Sequence, residues 1–283
     1  VNRLESRLSA LRRGGRRALA PYVTAGDCGY ETTLSVLRAL DEPDVACVEL
    51  GLPFSDPIAD GPVLQAAAER ALAAGATFER SLAAIERLRR GASSAPPCDL
   101  PIAVMAYANL LVRRGWNESL AMIARAGADA LLVPDLPVEE GAPMASAAVE
   151  CGLAPIFFVS PTTDDERMQR AIAMSRGFVY AIGRVGVTGA PTAIGRALGE
   201  FLARVRSAAR ARSRASELSI AVGFGIATPE HVSAATREGD LAITGSALVQ
   251  RVHEAALAAP ENAQAAAAAA RAFVRELARG LPR

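Results

Sequence analysis

One carboxylate stands where a carboxylate is expensive to keep. Glu49 lies inside the apolar run Ala46-Cys47-Val48-Glu49-Leu50, and a buried acid needs either a partner or a task. Surroundings of this kind shift a pKa, which makes Glu49 a candidate general acid or base. A carboxylate that accepts hydrogen bonds from loop amides would occupy the same position. Eleven residues on, the loop GLPFSDPIADGP supplies Asp56 and Asp60 between prolines and glycines. Two acids from one strand–loop unit could face one opening and divide acid and base work. The spacing is equally compatible with turn-forming aspartates.

Further along the chain, glycine-rich turns recur: Gly186-Val187-Thr188-Gly189, Gly223-Phe224-Gly225 and Gly245-Ser246. Backbone N–H groups in such turns, unobstructed by side chains and set before a helix, hold a phosphate directly and through the helix dipole. The pattern points to a phosphorylated substrate.

These residues need a scaffold that gathers them at one end. Eight short, continuously apolar runs read as parallel strands buried on both faces: 18–24, 46–50, 102–107, 130–133, 154–159, 178–182, 219–223 and 241–244. Between them lie helical spacings such as Leu34, Leu37, Leu40 and Leu82, Ile85, Leu88. Thr228-Pro229-Glu230 reads as a capped helix start. An alanine-rich helix follows Pro260 and stops at Gly280, with Phe273, Val274 and Leu277 turned to the core. The basic stretch 204–217 reads as a helix end and a solvated loop. Eight strands alternating with helices predict an α/β fold, a (β/α)8 TIM barrel forming a single domain over 1–283. Its active site would lie at the C-terminal ends of the strands.

Composition narrows the chemistry. The 283 residues carry a formal net charge of +1, so nothing draws nucleic acid or an acidic membrane. All 31 basic residues are arginine; without lysine the chain can form neither a Schiff base nor a covalent pyridoxal phosphate adduct. His231 and His253 stand near no cysteine or acidic cluster in sequence, which predicts no metal site. The cysteines Cys28, Cys47, Cys98 and Cys151 show no paired spacing. A reducing cytoplasmic location is therefore expected, with neither a signal peptide nor a membrane span.

The segment ELGLPFSDPIADGPVLQAA at 49–67 closely resembles the signature of tryptophan synthase alpha chains. The resemblance extends through PYVTAGD (21–27), MAYANLL (105–111), VPDLPVEE (133–140), GRVGVTGA (183–190), VGFGIATPEHV (222–232) and GSALV (245–249). It implies a lyase of tryptophan biosynthesis that splits indole-3-glycerol phosphate into indole and glyceraldehyde 3-phosphate by a retro-aldol reaction. By the same resemblance Glu49 is the general acid/base and Asp60 accepts a hydrogen bond from the indole N–H. Gly189, Phe224, Gly225, Gly245 and Ser246 would hold the phosphate, and Tyr180 would stand by the glycerol portion. Tyr22, Leu64, Met105, Leu132 and Phe224 would form the indole slot, and Thr188 would belong to a lid hinged at Gly186 and Gly189. The resemblance also implies an α2β2 assembly in which the beta subunit alone carries pyridoxal phosphate. Pro53, Asp56, Asn109 and the 184–196 loop match the positions of that contact. Departures are Gly183 where the family more often has serine, EPDVAC before the second strand, and a long 204–217 segment. Two other readings keep the same fold: a standalone indole-releasing lyase of specialised metabolism, and an idle barrel that only activates a beta subunit.

Overall fold

The computed structural model describes residues 2–92, 95–183, 191–211, 218–223, 225–260 and 262–282. Nine parallel strands form one sheet: β1 (Ala18–Thr24), β2 (Val48–Gly51), β3 (Ile102–Met105), β4 (Ala130–Leu132), β5 (Ala154–Ile156), β6 (Phe158–Val159), β7 (Phe178–Ile182), β8 (Ser219–Gly223) and β9 (Leu241–Thr244). Neighbours run β5-β4-β3-β2-β1-β9-β8-β7-β6. The two ends of that order are consecutive pieces of chain separated only by Phe157, so the sheet closes into the expected barrel.

The fifth apolar run is thus two strands rather than one, and Pro155 supplies the reason. Its carbonyl faces β7 and accepts from the Arg176 N–H at 2.8 Å, but its ring nitrogen has no hydrogen to give that side. The next amide on the same side, Phe157 N–H, donates to Ser175 Oγ at 3.2 Å instead of to the ladder. Regular pairing with β7 resumes at Phe158. The third strand ends at Met105, short of the expected Tyr107, because Tyr107 turns out to cap the next helix. The second starts at Val48 rather than Ala46.

Helices follow the strands: α1 (Arg3–Arg13), α2 (Tyr30–Ala39), α3 (Pro62–Ala73), α4 (Phe78–Arg90), α5 (Ala108–Val112), α6 (Trp116–Ala126), α7 (Gly141–Glu150), α8 (Asp165–Met174), α9 (Pro191–Ala211), α10 (Pro229–Glu238), α11 (Ser246–Ala258) and α12 (Ala263–Ala278). The Thr228 side chain caps α10 with Pro229 at its first turn, as expected. Helix α12 starts after the Asn262 cap and buries Phe273, Val274 and Leu277. No described helix is long and apolar enough to cross a membrane.

Helix α1 precedes the first strand and closes the N-terminal end of the barrel. A reciprocal capping box between Asn2 and Glu5 starts it. Leu4, Leu8 and Leu11, one helical face, join Ala18, Ala46, Ala130, Phe178 and Leu241 in the inner core. Two buried aspartates order the same end. Asp129 accepts from Ile102 N–H at 2.9 Å, and Asp240 accepts from Ile220 N–H at 2.8 Å. Each stands just before one strand and receives an amide from the start of its neighbour, the first of β3 and the second of β8. Asp129 also meets Arg89 at 3.0 Å and Arg3 at 3.4 Å, while Arg89 donates to the carbonyls of Cys98, Leu100 and Gly127. With this end sealed, the other is free to hold a site.

Candidate active site at the C-terminal mouth of the barrel

Alternation along β2 aims Glu49 inward. Val48 and Leu50 pack in the outer core under the helices, so the residue between them points into the barrel. Its register partners are Tyr22 on β1 and Ala103 on β3, and the small Ala103 leaves room beside the carboxylate. Glu49 is 5% exposed. Burial, and secondarily the charge of Asp60, push its pKa up from 4.5 to about 8. The carboxyl group is therefore mostly protonated at neutral pH, ready to give a proton and able to take one back.

Asp60 arrives on the loop between β2 and α3. Its Oδ2 accepts a hydrogen bond from the Tyr107 hydroxyl at 3.1 Å, which in turn accepts the Ala59 N–H at 3.0 Å. Phe54 stacks on the Tyr107 ring with centroids 5.1 Å apart. Burial raises the Asp60 pKa, and the Tyr107 hydrogen bond opposes the rise. One tyrosine thus fixes both the loop backbone and the acid, a role not singled out from the sequence, where Tyr107 reads as the end of an apolar strand. Tyr107→Phe is expected to raise the Asp60 pKa further, as a carboxylate NMR titration would show. Ala59 is exposed, so water can take its freed amide, and the lost hydrogen bond should cost about 1 kcal/mol or less of stability in urea unfolding.

Glu49 and Asp60 open onto a cavity of about 350 Å³. Of the expected binding residues, Tyr22, Leu64, Met105, Tyr180, Gly225, Gly245 and Ser246 line it. Leu132 does not: it is fully buried in the inner core beside its register partner Met105. Thr188, Gly189 and Phe224 lie outside the described residues, as does Gly186. The wall also includes Phe158, Ile182 and Ile243, none of them marked in the sequence. Phe158 tilts against Tyr180 with centroids 4.9 Å apart. Burial raises the Tyr22 and Tyr180 pKa values well above the ordinary range, so both hydroxyls stay neutral.

Glycines make room for those hydroxyls. A methyl group on Gly51 would overlap the Tyr22 hydroxyl, and one on Gly223 the Tyr180 hydroxyl. Gly223 is a strand residue of β8 that clears space, rather than part of an open turn. Gly225, at φ 76°, takes a left-handed conformation that favours glycine. Opposite the acids, α11 starts at Ser246 with no side chain capping it. The first-turn N–H groups of such a helix seek an acceptor, and Gly245 and Ser246 stand on the cavity wall. The arrangement combines a proton donor, a second carboxylate, a flat apolar slot and an anion-favouring helix end.

A model of the family described as tryptophan synthase alpha chain matches residues 8–281. The chain is 42% identical to the tryptophan synthase alpha chain of Gluconacetobacter diazotrophicus over 254 residues, covering 90% of this chain and 88% of that one. The chain belongs to the tryptophan synthase alpha family. Its fold agrees: the alpha subunit of Legionella pneumophila superposes with a TM-score of 0.80 at 30% identity, covering 99% and 98% of the two chains. A chain from the tryptophan synthase α2β2 complex of Pyrococcus furiosus superposes with a TM-score of 0.77 at 36% identity, covering 93% and 98%. As a member of that family it is a TIM-barrel protein of tryptophan biosynthesis.

Around the mouth, the positions that resemble the family's partner contact divide. Asp56 and Asn109 are exposed, whereas Pro53 is buried. Near them two apolar side chains face solvent, Ile58 at 81% and Val112 at 53% exposure. The 184–190 part of the expected contact loop lies outside the described residues.

Proposed function

We propose that the chain cleaves indole-3-glycerol phosphate to indole and glyceraldehyde 3-phosphate, with Glu49 as acid and base. The observation that carries this reading is the buried Glu49 facing the same apolar cavity as Asp60, where burial favours its protonated form. Glu49 gives its proton to indole C3, turning the ring into a leaving group, and Asp60 accepts the hydrogen bond of the indole N–H as positive charge develops on the ring. The bond between C3 and the first glycerol carbon then breaks, and its electron pair returns to the ring. The hydroxyl on that carbon loses its proton to the Glu49 carboxylate and becomes the aldehyde, so one proton is given and one recovered. Tyr22, Leu64, Met105 and Phe158 suit a flat ring with a single polar handle. Gly225, Gly245 and Ser246 suit the phosphate; Gly189 and Phe224 complete that set by resemblance, Leu132 backs the slot, and Thr188 serves a lid. The cleavage itself calls for neither a metal nor pyridoxal phosphate in this chain.

A beta subunit is the proposed partner, as in the α2β2 complex named for the Pyrococcus furiosus protein. Exposed Ile58 and Val112 beside Asp56 and Asn109 would be covered there, with Pro53 shaping the loop from beneath. The test is indole release from indole-3-glycerol phosphate by the purified chain, alone and with a beta subunit. Slow turnover that the partner raises supports this reading, while fast turnover without one marks a standalone lyase. No turnover in either setting leaves only the activator role.

A pH profile adds a second check. Because Glu49 must start protonated, kcat/KM is expected to fall about tenfold per pH unit above roughly pH 8. A flat profile to pH 10 would take the first proton transfer away from Glu49.

A further inference from the structure

A second group of chemically capable side chains lies outside the cavity. Asp27 and Cys28 form the turn from β1 into α2, and His253 projects from α11. Among the described residues, their ligand atoms lie within 4.8 Å of one another. Cys28 Sγ is 3.6 Å from His253 Nδ1 and 3.7 Å from Asp27 Oδ1. A tetrahedral zinc ion, with bonds of about 2.3 Å to sulfur and about 2.0 Å to nitrogen or oxygen, sets neighbouring ligand atoms about 3.5 Å apart. We propose that Asp27, Cys28 and His253 bind a thiophilic divalent cation of the Zn²⁺ class, with water in the fourth position.

Three features of the turn support this. Cys28 has φ 58°, a conformation that non-glycine residues adopt rarely, and this bend carries the thiol across to α11. Asp27 is held by a two-pronged bond from Arg70 of α3, Nε to Oδ1 and one terminal nitrogen to Oδ2, both at 2.9 Å. Oδ2 keeps a further lone pair, and Oδ1 regains one when the Cys28 thiol that donates to it loses its proton; a fixed outer partner of this sort orients a ligating carboxylate. Cys28 and His253 are half-buried while Asp27 is buried, so solvent reaches the open position but not the base of the site. On binding, the thiol releases its proton to solvent and the thiolate takes the metal. The guanidinium of Arg70 offsets part of the carboxylate charge, which favours a soft, sulfur-seeking cation over Mg²⁺ or Ca²⁺. The ion would tie the β1–α2 turn to α11, whose first residue, Ser246, stands on the cavity wall.

The test is a titration of the chelator-treated full chain with Cd²⁺, following the ultraviolet thiolate-to-metal charge-transfer band. Zn²⁺ affinity is measured by competition against a chromophoric chelator. Stoichiometric binding is expected, with the band lost in Cys28→Ser and Zn²⁺ affinity lowered about tenfold or more in His253→Ala. Cys151→Ser, which alters the other half-buried thiol, should leave both unchanged. Zn²⁺ should also raise the melting temperature of the parent but not of the two site variants. Metal-free melts of each variant separate lost binding from lost fold. A band that survives Cys28→Ser, or His253→Ala binding as tightly as the parent, would overturn the proposal.

Discussion

Replacing Glu49 by glutamine is expected to lower the rate of indole release by about 10²–10⁴-fold, with the cavity unchanged in shape. Glutamine keeps the volume and the polar end of the side chain but cannot exchange the proton that C3 must gain and the hydroxyl must lose. Single-turnover assays, with and without a beta subunit, read this directly; a rate within a few fold of the parent would sink the proposed chemistry. The same substitution should alter stability in the opposite direction. Between pH 4.5 and about 8 the folded protein holds a proton on Glu49 that the unfolded chain has released. Stability therefore falls as pH rises through that window. Glutamine has no such loss, so the variant should match the parent near pH 4 and exceed it by on the order of a few kcal/mol at pH 8–9. Urea midpoints across pH measure the difference, and equal slopes for the two proteins would mean that Glu49 is not buried in its acid form.

The second large effect lies at the other end of the barrel. Asp129→Ala is expected to destabilise the fold by about 3–5 kcal/mol, although Asp129 touches nothing in the cavity. Burial raises the Asp129 pKa and outweighs the two guanidiniums and the Ile102 amide that lower it. The ion pairs thus add little net stability of their own. Breaking them is costly because Arg89, 13% exposed, would be left charged and without its carboxylate, and Ile102 N–H would lose its acceptor. The expected fall in melting temperature is roughly 10 °C, with turnover below the transition retained. A loss under about 1 kcal/mol would show that water replaces the carboxylate, and that helix α1 does not seal this end.

Much of this architecture was legible in the chain. Parallel strands covered on both faces are apolar throughout, so eight such runs marked the eight barrel positions. Threonine and proline fixed the start of α10, and a lone acid in an apolar run singled out Glu49. What a continuous apolar run conceals is which side chain points inward. Phe158, Ile182 and Ile243 went unmarked for that reason, and Leu132, chosen as a slot residue, sits off the cavity wall. Tyr107 looked like strand, because nothing local shows that its hydroxyl would meet Asp60.

Taken alone, the sequence determined the family, the order of strands and helices, and the absence of lysine chemistry, all of which depend on residue type and local spacing. The tertiary structure decided what depends on burial and long-range approach. It divided the fifth strand at Pro155, set α1 under the barrel, and brought His253 beside Cys28 across the length of the chain. It also set the proton on Glu49. A carboxyl group holds a proton at neutral pH when water is excluded from it, and a second negative charge nearby adds to the effect; both conditions arise when the barrel closes and its loop folds over the mouth.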